Sequence, residues 1–199
     1  MRTVSRHAAA LAALALIALA IAGSVAPGRA APAQVSAREG EGAGEFDVRA
    51  AYLYNFTKFV TWPEKSPPRG VFAIGVLGED PFGASVTRAL ESKTVQGMRI
   101  VIRRVNTPEE AAACQLVYLA GGEEKRLAAL FERLRGLPVL TVGDCRGFLR
   151  GGGMIRFRTE QERVQFDVSL APASEAHLEI SSRLLQVART VHPDARKEE

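Results

Sequence analysis

Four short apolar runs recur along the chain, and they constrain its fold more than any other feature of the sequence. They are Val71–Leu77, Met98–Val105, Leu116–Ala120 and Pro138–Val142. Val71–Leu77 is typical of a strand that is buried on both faces of a parallel sheet. Met98–Val105 places Ile100 and Ile102 on one face and carries Arg103 and Arg104 near its end. Segments with helix signals separate the four runs, so the sequence predicts strands alternating with helices that pack on a mostly parallel sheet.

The segments between these runs carry helix signals of different kinds. Phe82, Val86 and Leu90 recur every fourth residue, which indicates one buried helix face. Thr107–Glu110 has the pattern of a helix start, with Thr as the cap, Pro at the first position and Glu closing a capping box. Residues 123–135 place apolar side chains on one face before a glycine ends the helix.

A different pattern follows residue 153. Met154–Arg158 and Arg163–Leu170 alternate strictly between apolar and polar residues, with residues 159–162 between them. Such alternation predicts an antiparallel hairpin with one buried face and one face in water. The side chains predicted to point inward are Ile155, Phe157, Val164, Phe166 and Val168. Those predicted to point into water are Arg156, Arg158, Gln165 and Asp167.

The last apolar pattern predicts a helix from Ser181 to Val191, with Leu184, Leu185, Ala188 and Val191 on the core. The predicted fold class is therefore α/β. We expect a Rossmann-like three-layer domain with a mostly parallel sheet, a C-terminal antiparallel hairpin and flanking helices.

Residues 51–63 hold two Tyr, two Phe and the only Trp of a chain that is otherwise poor in aromatics. Apolar spacing from Val48 predicts an amphipathic helix, with Asp47 as its N-cap and Pro63 ending it. So much aromatic surface must be buried, either against the rest of the domain or against another chain. We expect most of these side chains in the core and one or two facing a partner.

Residues 1–30 are predicted to be a secretory signal peptide. Arg2 and Arg6 form a basic start, residues 8–22 form an apolar run, and small residues stand at cleavage spacing near residue 30. An uncleaved membrane anchor is the alternative, although the run is short of the roughly 20 strongly apolar residues that span a bilayer.

The rest of the chain divides into three parts. Residues 31–45 have little to bury and are predicted to be a flexible lead-in, residues 46–193 one domain, and residues 194–199 a disordered tail. Removal of the leader takes away three arginines and no acid, so the formal net charge falls from +4 to +1. A charge near zero gives no support for nucleic-acid binding. We expect the mature protein to be soluble and exported.

Cys114 and Cys145 are the only cysteines, and in an oxidising compartment a disulfide between them would be the first expectation. The predicted strands argue against it, because Cys114 enters one parallel strand and Cys145 leaves its neighbour. A five-residue strand is about 16 Å long, well beyond the roughly 7 Å limit between the Cα atoms of a disulfide. We predict that both are unpaired, with Cys114 buried and Cys145 in a loop.

A candidate ligand cleft lies at the carboxyl ends of the predicted parallel strands, at Gly78, Gly121 and Asp144. Such an edge is where α/β proteins commonly bind ligands. Asp144 would serve there as a binding carboxylate, or it caps the following turn. The glycine spacing does not fit a dinucleotide fingerprint, and Glu79–Asp80 would face a pyrophosphate with two carboxylates. Gly151–Gly153 is interpreted as a flexible entry to the hairpin.

Catalytic groups are sparse. His177 and His192 are the only histidines after the leader, and no cluster has the spacing of metal ligands. The chain has no Gly-x-Ser-x-Gly nucleophile elbow, and Cys145 has no histidine nearby in sequence. We predict no metal, no cofactor and no enzymatic activity.

Seven features in this order resemble one known family. They are the signal peptide, Ala51–Pro63, Ile74–Gly78 with Asp80–Phe82, Cys114–Leu119, Pro138–Val142, Gly152–Ile155 and Ile180–Leu185. Over about residues 46–192 the chain resembles the YfiR-like family of exported bacterial proteins. In two respects it departs from relatives. Ser169 stands where they often carry Asn, and the cysteine pattern of members with two disulfides is absent, which puts redox tuning by paired cysteines in doubt.

The resemblance implies a periplasmic regulator that is not an enzyme. Family members hold a membrane-anchored diguanylate cyclase of the inner membrane in check by binding its periplasmic domain. An outer-membrane lipoprotein can sequester them and so release cyclic-di-GMP synthesis and biofilm formation. Whether the protein forms a homodimer is left open. Because aromatics dominate interface energetics, the expected partner-contact residues are Tyr54, Phe56, Lys58, Phe59 and Trp62.

Overall fold

The computed structural model describes residues 38–63 and 70–193. Its strands, numbered along the chain, are β1 Val60–Thr61, β2 Val71–Leu77, β3 Thr94–Val95, β4 Met98–Val105, β5 Leu116–Leu119, β6 Leu140–Gly143, β7 Ile155–Glu160, β8 Arg163–Ser169, β9 Glu179–Ile180 and β10 Thr190–His192. Its helices are α1 Arg38–Phe59, α2 Gly83–Glu91, α3 Pro108–Ala112, α4 Leu127–Leu134, α5 Leu170–Glu175 and α6 Ser182–Val187. A 3₁₀ turn, Glu124–Arg126, precedes α4.

The main sheet has eight strands in the order β10-β8-β7-β6-β5-β2-β4-β3. The five strands from β7 to β4 are parallel to their neighbours. Beyond these five strands, β8 runs antiparallel to β7 and β3 runs antiparallel to β4, while the end strand β10 pairs in parallel with β8. The predicted fold class is confirmed: a mostly parallel sheet carries an antiparallel hairpin and flanking helices.

Helices cover both faces of this sheet, and each face has its own hydrophobic core. The first core joins α1, α2 and α6 to the sheet through fully buried side chains such as Leu53, Phe56 and Ile74. The second joins α3 and α4 to the opposite face, with Leu130 and Phe148 at its centre. Such double coverage explains why the central strands read as continuous apolar runs.

The predicted strands β2 and β4 have the bounds expected from the sequence. β5 ends one residue earlier than predicted, and β6 begins two residues later and ends one residue later. The predicted helix 181–191 is wrong in its second half, because α6 ends at Val187 and Val191 lies in β10. Ala188 turns the chain into extended geometry, and β10 then pairs with β8 in parallel, so Val191 lies beside Val168.

The aromatic helix is longer than predicted. α1 begins at Arg38, so Asp47 lies inside the helix and the predicted N-cap is wrong. Residues 38–45, which the sequence predicts as part of a flexible lead-in, are helical here. α1 ends at Phe59 because residues 60–61 pair with β9 in a separate two-stranded sheet. The predicted signal peptide, residues 31–37 and the predicted tail lie outside the described residues.

Gly151 and Gly153 have a steric role and Gly152 has a left-handed backbone with φ 113°, which corrects their interpretation as a flexible entry. The ring of Phe148 is fully buried and packs against Gly143 and Gly153. A Cβ atom at Gly143 would lie 2.5 Å from the Phe148 ring, and one at Gly153 would clash with the same ring. A Cβ atom at Gly151 would lie 3.1 Å from the ring of Phe131. Close approach of aromatic rings to the backbone therefore requires these glycines.

We predict that Gly143→Ala and Gly153→Ala each lower the free energy of unfolding by about 1–3 kcal/mol, because the methyl group overpacks the site of Phe148. Urea denaturation measures this. Gly44→Ala is the matched control, since a Cβ there meets nothing within 4 Å. In helix α1 the control should be neutral or stabilising by up to about 1 kcal/mol. Equal stability of all three variants would contradict the packing described above.

His177 lies in the turn that ends α5, and the conformation of its backbone is what this turn requires. Its backbone has φ 55°, the left-handed region that favours glycine. His177 N–H donates to the carbonyl of Ser174, and Leu178 N–H donates to that of Ala173. These two bonds define a Schellman motif that closes the helix. The imidazole is exposed, which leaves His177 with a backbone role in the described structure.

We expect His177→Gly to raise the free energy of unfolding by about 0.5–1 kcal/mol, because glycine adopts the left-handed conformation without a Cβ penalty. His177→Ala removes the same imidazole but keeps the Cβ atom, so it should bring no gain. Thermal and urea unfolding of the two variants side by side would separate backbone strain from loss of the ring. A stabilising alanine variant would disprove this explanation.

Candidate functional site

Arg49 is the most unusual residue of α1. It is a charged residue with only 8% of its surface exposed, on the helix face that also carries Phe46, Leu53 and Phe56. A buried guanidinium is costly unless it is paired and hydrogen-bonded. The groups that surround Arg49 therefore define the main polar site inside the described domain.

Arg49 contacts four polar side chains, and we call these five residues the Arg49 network. Its Nη1 donates to the Tyr118 hydroxyl at 3.1 Å and forms an ion pair with Asp144. Its Nη2 donates to Glu45 at 2.6 Å and to Thr159 Oγ1 at 3.4 Å. The Thr159 hydroxyl also donates to Glu45 at 2.6 Å, and that of Tyr118 to Asp144 at 3.2 Å.

Three of the four partners of Arg49 come from the carboxyl ends of neighbouring parallel strands, and the fourth, Glu45, lies in α1 itself. Tyr118 is in β5, Asp144 follows β6, and Thr159 is near the end of β7. The guanidinium also lies over the rings of Phe46 and Phe157, at 5.5 and 5.8 Å from their centroids. Arg49 thus ties α1 to the sheet edge at which open α/β sheets commonly bind ligands.

The charges of the network stabilise one protonation state. Burial disfavours the charged guanidinium, but Tyr118 and Asp144 outweigh it, and the net effect raises the pKa of Arg49. Burial, followed by the nearby Asp144 charge, raises the pKa of Tyr118 well above its usual range. Tyr118 therefore stays a neutral phenol that both accepts from Arg49 and donates to Asp144.

An open cleft of about 560 Å³ lies beside the network. Gly121 and Asp144 both line it, and a Cβ atom at Gly121 would lie 3.6 Å from Asp144 Oδ1. Gly78 does not line this cleft. The Glu123 side chain packs against Gly78, 2.9 Å from the position of a Cβ atom. Two of the three predicted cleft residues are thus brought together. Binding of a small molecule there stays a prediction.

Asp167 is placed differently from the prediction, which had it pointing into water. It is 1% exposed, and arginines surround its carboxylate. Arg156 Nη2 lies 3.1 Å away, Arg189 Nη1 3.3 Å and Arg158 Nη1 3.6 Å. β10 follows α6 in the chain and runs beside β8, which brings Arg189 to the Asp167 carboxylate. The face of the hairpin that was predicted to lie in water is therefore partly covered.

The five predicted partner-contact residues separate into two groups. Phe56 is fully buried against Phe157 and Phe166, so it belongs to the core. Trp62 is half-buried, stacks edge-on against Phe72 and donates from Nε1 to the Gln115 carbonyl at 3.1 Å. The other three lie at or near the surface, with Lys58 fully exposed and Tyr54 and Phe59 half-buried.

Both cysteines are free and buried. Burial raises the pKa of the Cys114 thiol. Burial, together with the charges of Glu124 and Asp144, raises the pKa of Cys145 to about 11. Cys145 lies after β6, outside any helix or strand, as predicted, but its side chain is not solvent-accessible. Both thiols are therefore protonated and unreactive near neutral pH.

Sequence reasoning missed Arg49 because it counted the apolar face of the helix from Val48, which is 44% exposed in the structure, and so placed Arg49 outside that face. A signal was present. Arg49 occupies an apolar face at helical spacing between Phe46 and Leu53, where a charge needs a buried partner. Tyr118 lies in an otherwise apolar strand, and Asp144 ends the next one. The three polar residues, read together, point to one buried network.

Within residues 38–63 and 70–193, no group of three or more His, Cys, Asp or Glu residues is arranged to hold a metal ion. In the same part of the chain, no helix combines the length and apolar character needed to cross a bilayer.

The sequence profile of the YfiR/HmsC-like family matches residues 46–189. That range covers more than half of the chain, so the protein belongs to this family, and the resemblance read from the motifs is confirmed. YfiR-like proteins are a family of periplasmic regulators and are not known as enzymes.

Two solved structures are similar to the chain at low sequence identity. One is a conserved domain protein from Vibrio cholerae, with 8% identity and a TM-score of 0.47 over 73% of this chain. The other is an ABC domain from Streptococcus pneumoniae solved in complex with L-Trp, with 10% identity and a TM-score of 0.44 over 61% of this chain. The chain spans 60% of the first structure and 55% of the second.

We predict that Arg49→Met lowers the free energy of unfolding by about 2–4 kcal/mol, because it leaves the Asp144 carboxylate without its charge partner. The double variant Arg49→Met/Asp144→Asn should lose less than the sum of the two single variants. Arg133→Met is the control, since its ion pair with Glu109 is exposed and should contribute less than about 1 kcal/mol. Strict additivity of the two single losses would show that Arg49 and Asp144 do not interact.

Proposed function

We propose that the protein is a non-enzymatic periplasmic regulator that binds and represses a membrane-anchored diguanylate cyclase, and so limits cyclic-di-GMP signalling and biofilm formation. The observation that carries this proposal is the family match over residues 46–189, which runs from α1 to the residue before β10. The partner is the periplasmic domain of the cyclase, and an outer-membrane lipoprotein competes for the regulator.

Repression of this kind requires a difference in affinity. The regulator must bind the inactive state of the cyclase more tightly than the active state, and that ratio sets how far activity can fall. A tenfold shift needs about 1.4 kcal/mol of differential binding free energy. A few contacts at a rigid surface are sufficient for a change of this size.

The C-terminal half of α1 is the proposed contact surface. The Lys58 ammonium lies over the Tyr54 ring, 4.1 Å from its centroid, which holds both side chains in one arrangement. Phe59 and Trp62 extend this surface toward β1. Phe56 is excluded from it, because its side chain is fully buried.

The Arg49 network supports a binding role for α1. It fixes the helix on the sheet through contacts with β5, β7 and the segment after β6. A helix that is ordered before it meets its partner loses little conformational entropy on binding. Tyr54 and Lys58 are thus presented by a rigid element.

A binding experiment with the periplasmic domain of a diguanylate cyclase from the same organism tests the proposal. We expect the purified wild-type domain to bind it, and cells that lack the regulator to contain more cyclic-di-GMP. Lys58→Glu combined with Tyr54→Ala should weaken binding by about tenfold or more without loss of stability, since aromatic and charged anchors dominate interfaces.

Lys125→Glu is the matched control, because Lys125 is exposed in the 3₁₀ turn before α4 and lies outside the proposed surface. Its affinity should equal that of the wild type. Failure of the wild type to bind any cyclase periplasmic domain, together with unchanged cyclic-di-GMP in the deletion strain, would refute the proposed function. Binding that is insensitive to the Lys58→Glu/Tyr54→Ala double variant would refute only the assignment of the surface.

A further inference from the structure

One edge of the main sheet is open along most of its length. β3 pairs with β4 only at Met98 and Arg99, so residues 100–105 have no strand beyond them within the described residues. An open edge presents backbone N–H and C=O groups in the geometry of a ladder, and another extended chain can pair with it.

The backbone donors of this edge can be identified. Ile100 N–H donates to the Lys93 carbonyl at 3.4 Å, and Ile102 N–H donates to the carboxylate of Glu91 at 3.2 Å. Alternate residues of a strand direct their backbone groups to the same side, so Arg104 N–H also points away from β2. The carboxylate of Glu91 therefore occupies a position that a strand carbonyl would otherwise fill.

The side chains of this edge are strongly basic. Arg99, Arg103 and Arg104 are exposed, and none of them has an ion-pair partner among residues 38–63 and 70–193. Arg99 and Arg103 share one sheet face with half-buried Val101, whereas Arg104 lies on the opposite face. Side chains directly opposite each other on adjacent strands lie about 5 Å apart, so carboxylates on an added strand would meet these arginines.

We propose that the open edge of β4, residues 100–105, binds an extended acidic segment of the cyclase's periplasmic domain, which adds to the sheet as another strand. The inference rests on the proposed function, because it assigns a surface to that partner. The segment would carry an apolar residue opposite Val101 and carboxylates opposite Arg103 and Arg104. Its backbone would take over the Ile102 N–H bond from Glu91 and pair with Arg104.

An anionic membrane surface would also attract the arginines, but the observations favour a polypeptide. Membrane attraction needs only charge, whereas β4 offers backbone donors in ladder geometry together with an apolar position. Arginines on an edge can also serve only to prevent aggregation. The two alternatives predict different results in the following experiment.

The affinity of the cyclase periplasmic domain is measured for the wild type and three variants. Arg103→Glu/Arg104→Glu should weaken binding by about tenfold or more, with a smaller loss at high salt. Glu91→Ala should tighten binding by a few fold, because it removes a competing carboxylate from the edge. The control Lys125→Glu/Arg135→Glu makes the same change in total charge at exposed positions outside β4 and outside the proposed surface of α1, and it should bind like the wild type.

Hydrogen exchange in the wild-type complex adds a measurement that needs no variant. Exchange at Ile102 and Arg104 should slow when the cyclase domain binds, because both amides then enter a ladder. Unchanged exchange at these amides, or equal affinity of the charge-reversal variant and the control, would overturn the inference and leave the proposed function intact. No binding by the wild type at any salt concentration would overturn both.

Sedimentation with phosphatidylglycerol vesicles provides the membrane comparison. Co-sedimentation that Arg103→Glu/Arg104→Glu abolishes, with unchanged affinity for the cyclase domain, would assign the basic edge to a lipid surface and overturn the inference. Absence of co-sedimentation together with a weakened protein complex is the expected result.

Discussion

The buried guanidinium of Arg49 is the interaction on which the arrangement of this domain depends. An ion at 8% exposure is tolerated only where opposite charge and hydrogen-bond acceptors surround it. Here those groups come from α1 itself and from the ends of β5, β6 and β7. The helix can therefore pack on the sheet in one position, with Arg49 at the carboxyl edge and the aromatic side chains over the hairpin.

The position in which α1 is held determines the role of the aromatic residues between 51 and 63. The aromatic stretch is first of all a core element, because Phe56 and Tyr52 pack against Phe157 and Phe166. The sheet edge at which many α/β proteins hold ligands is partly occupied by ion pairs that hold α1 in place. The outer surface of α1 and the edge of β4 both carry exposed charge, and they are the two regions proposed above to contact a partner.

The fold was largely predictable because β2, β5 and β6 are buried on both faces and so are almost wholly apolar. The short strands were not predictable. β1, β9 and β10 have two or three residues each, and they form only because a distant part of the chain supplies their hydrogen bonds. β1 pairs with β9, beside a bond from Ser181 N–H to the Phe59 carbonyl, and β10 pairs with β8. The burial of Asp167 was hidden for a similar reason, since its partner Arg189 follows α6, far along the chain. Asp144 was found as a lone carboxylate, but its partner Arg49 lies 95 residues away, and no local pattern joins them.

Native-state hydrogen exchange of the isolated domain is the most direct test of the claim that α1 is locked to the sheet by Arg49. If α1 is an integral part of the core, the amides of residues 50–59 exchange with nearly the same free energy of opening as those of β5 and β6. In Arg49→Met, the opening free energy of α1 should fall below that of the strands. An aromatic helix that opens far more easily than the central strands in the wild-type protein would contradict the structure of the domain as described.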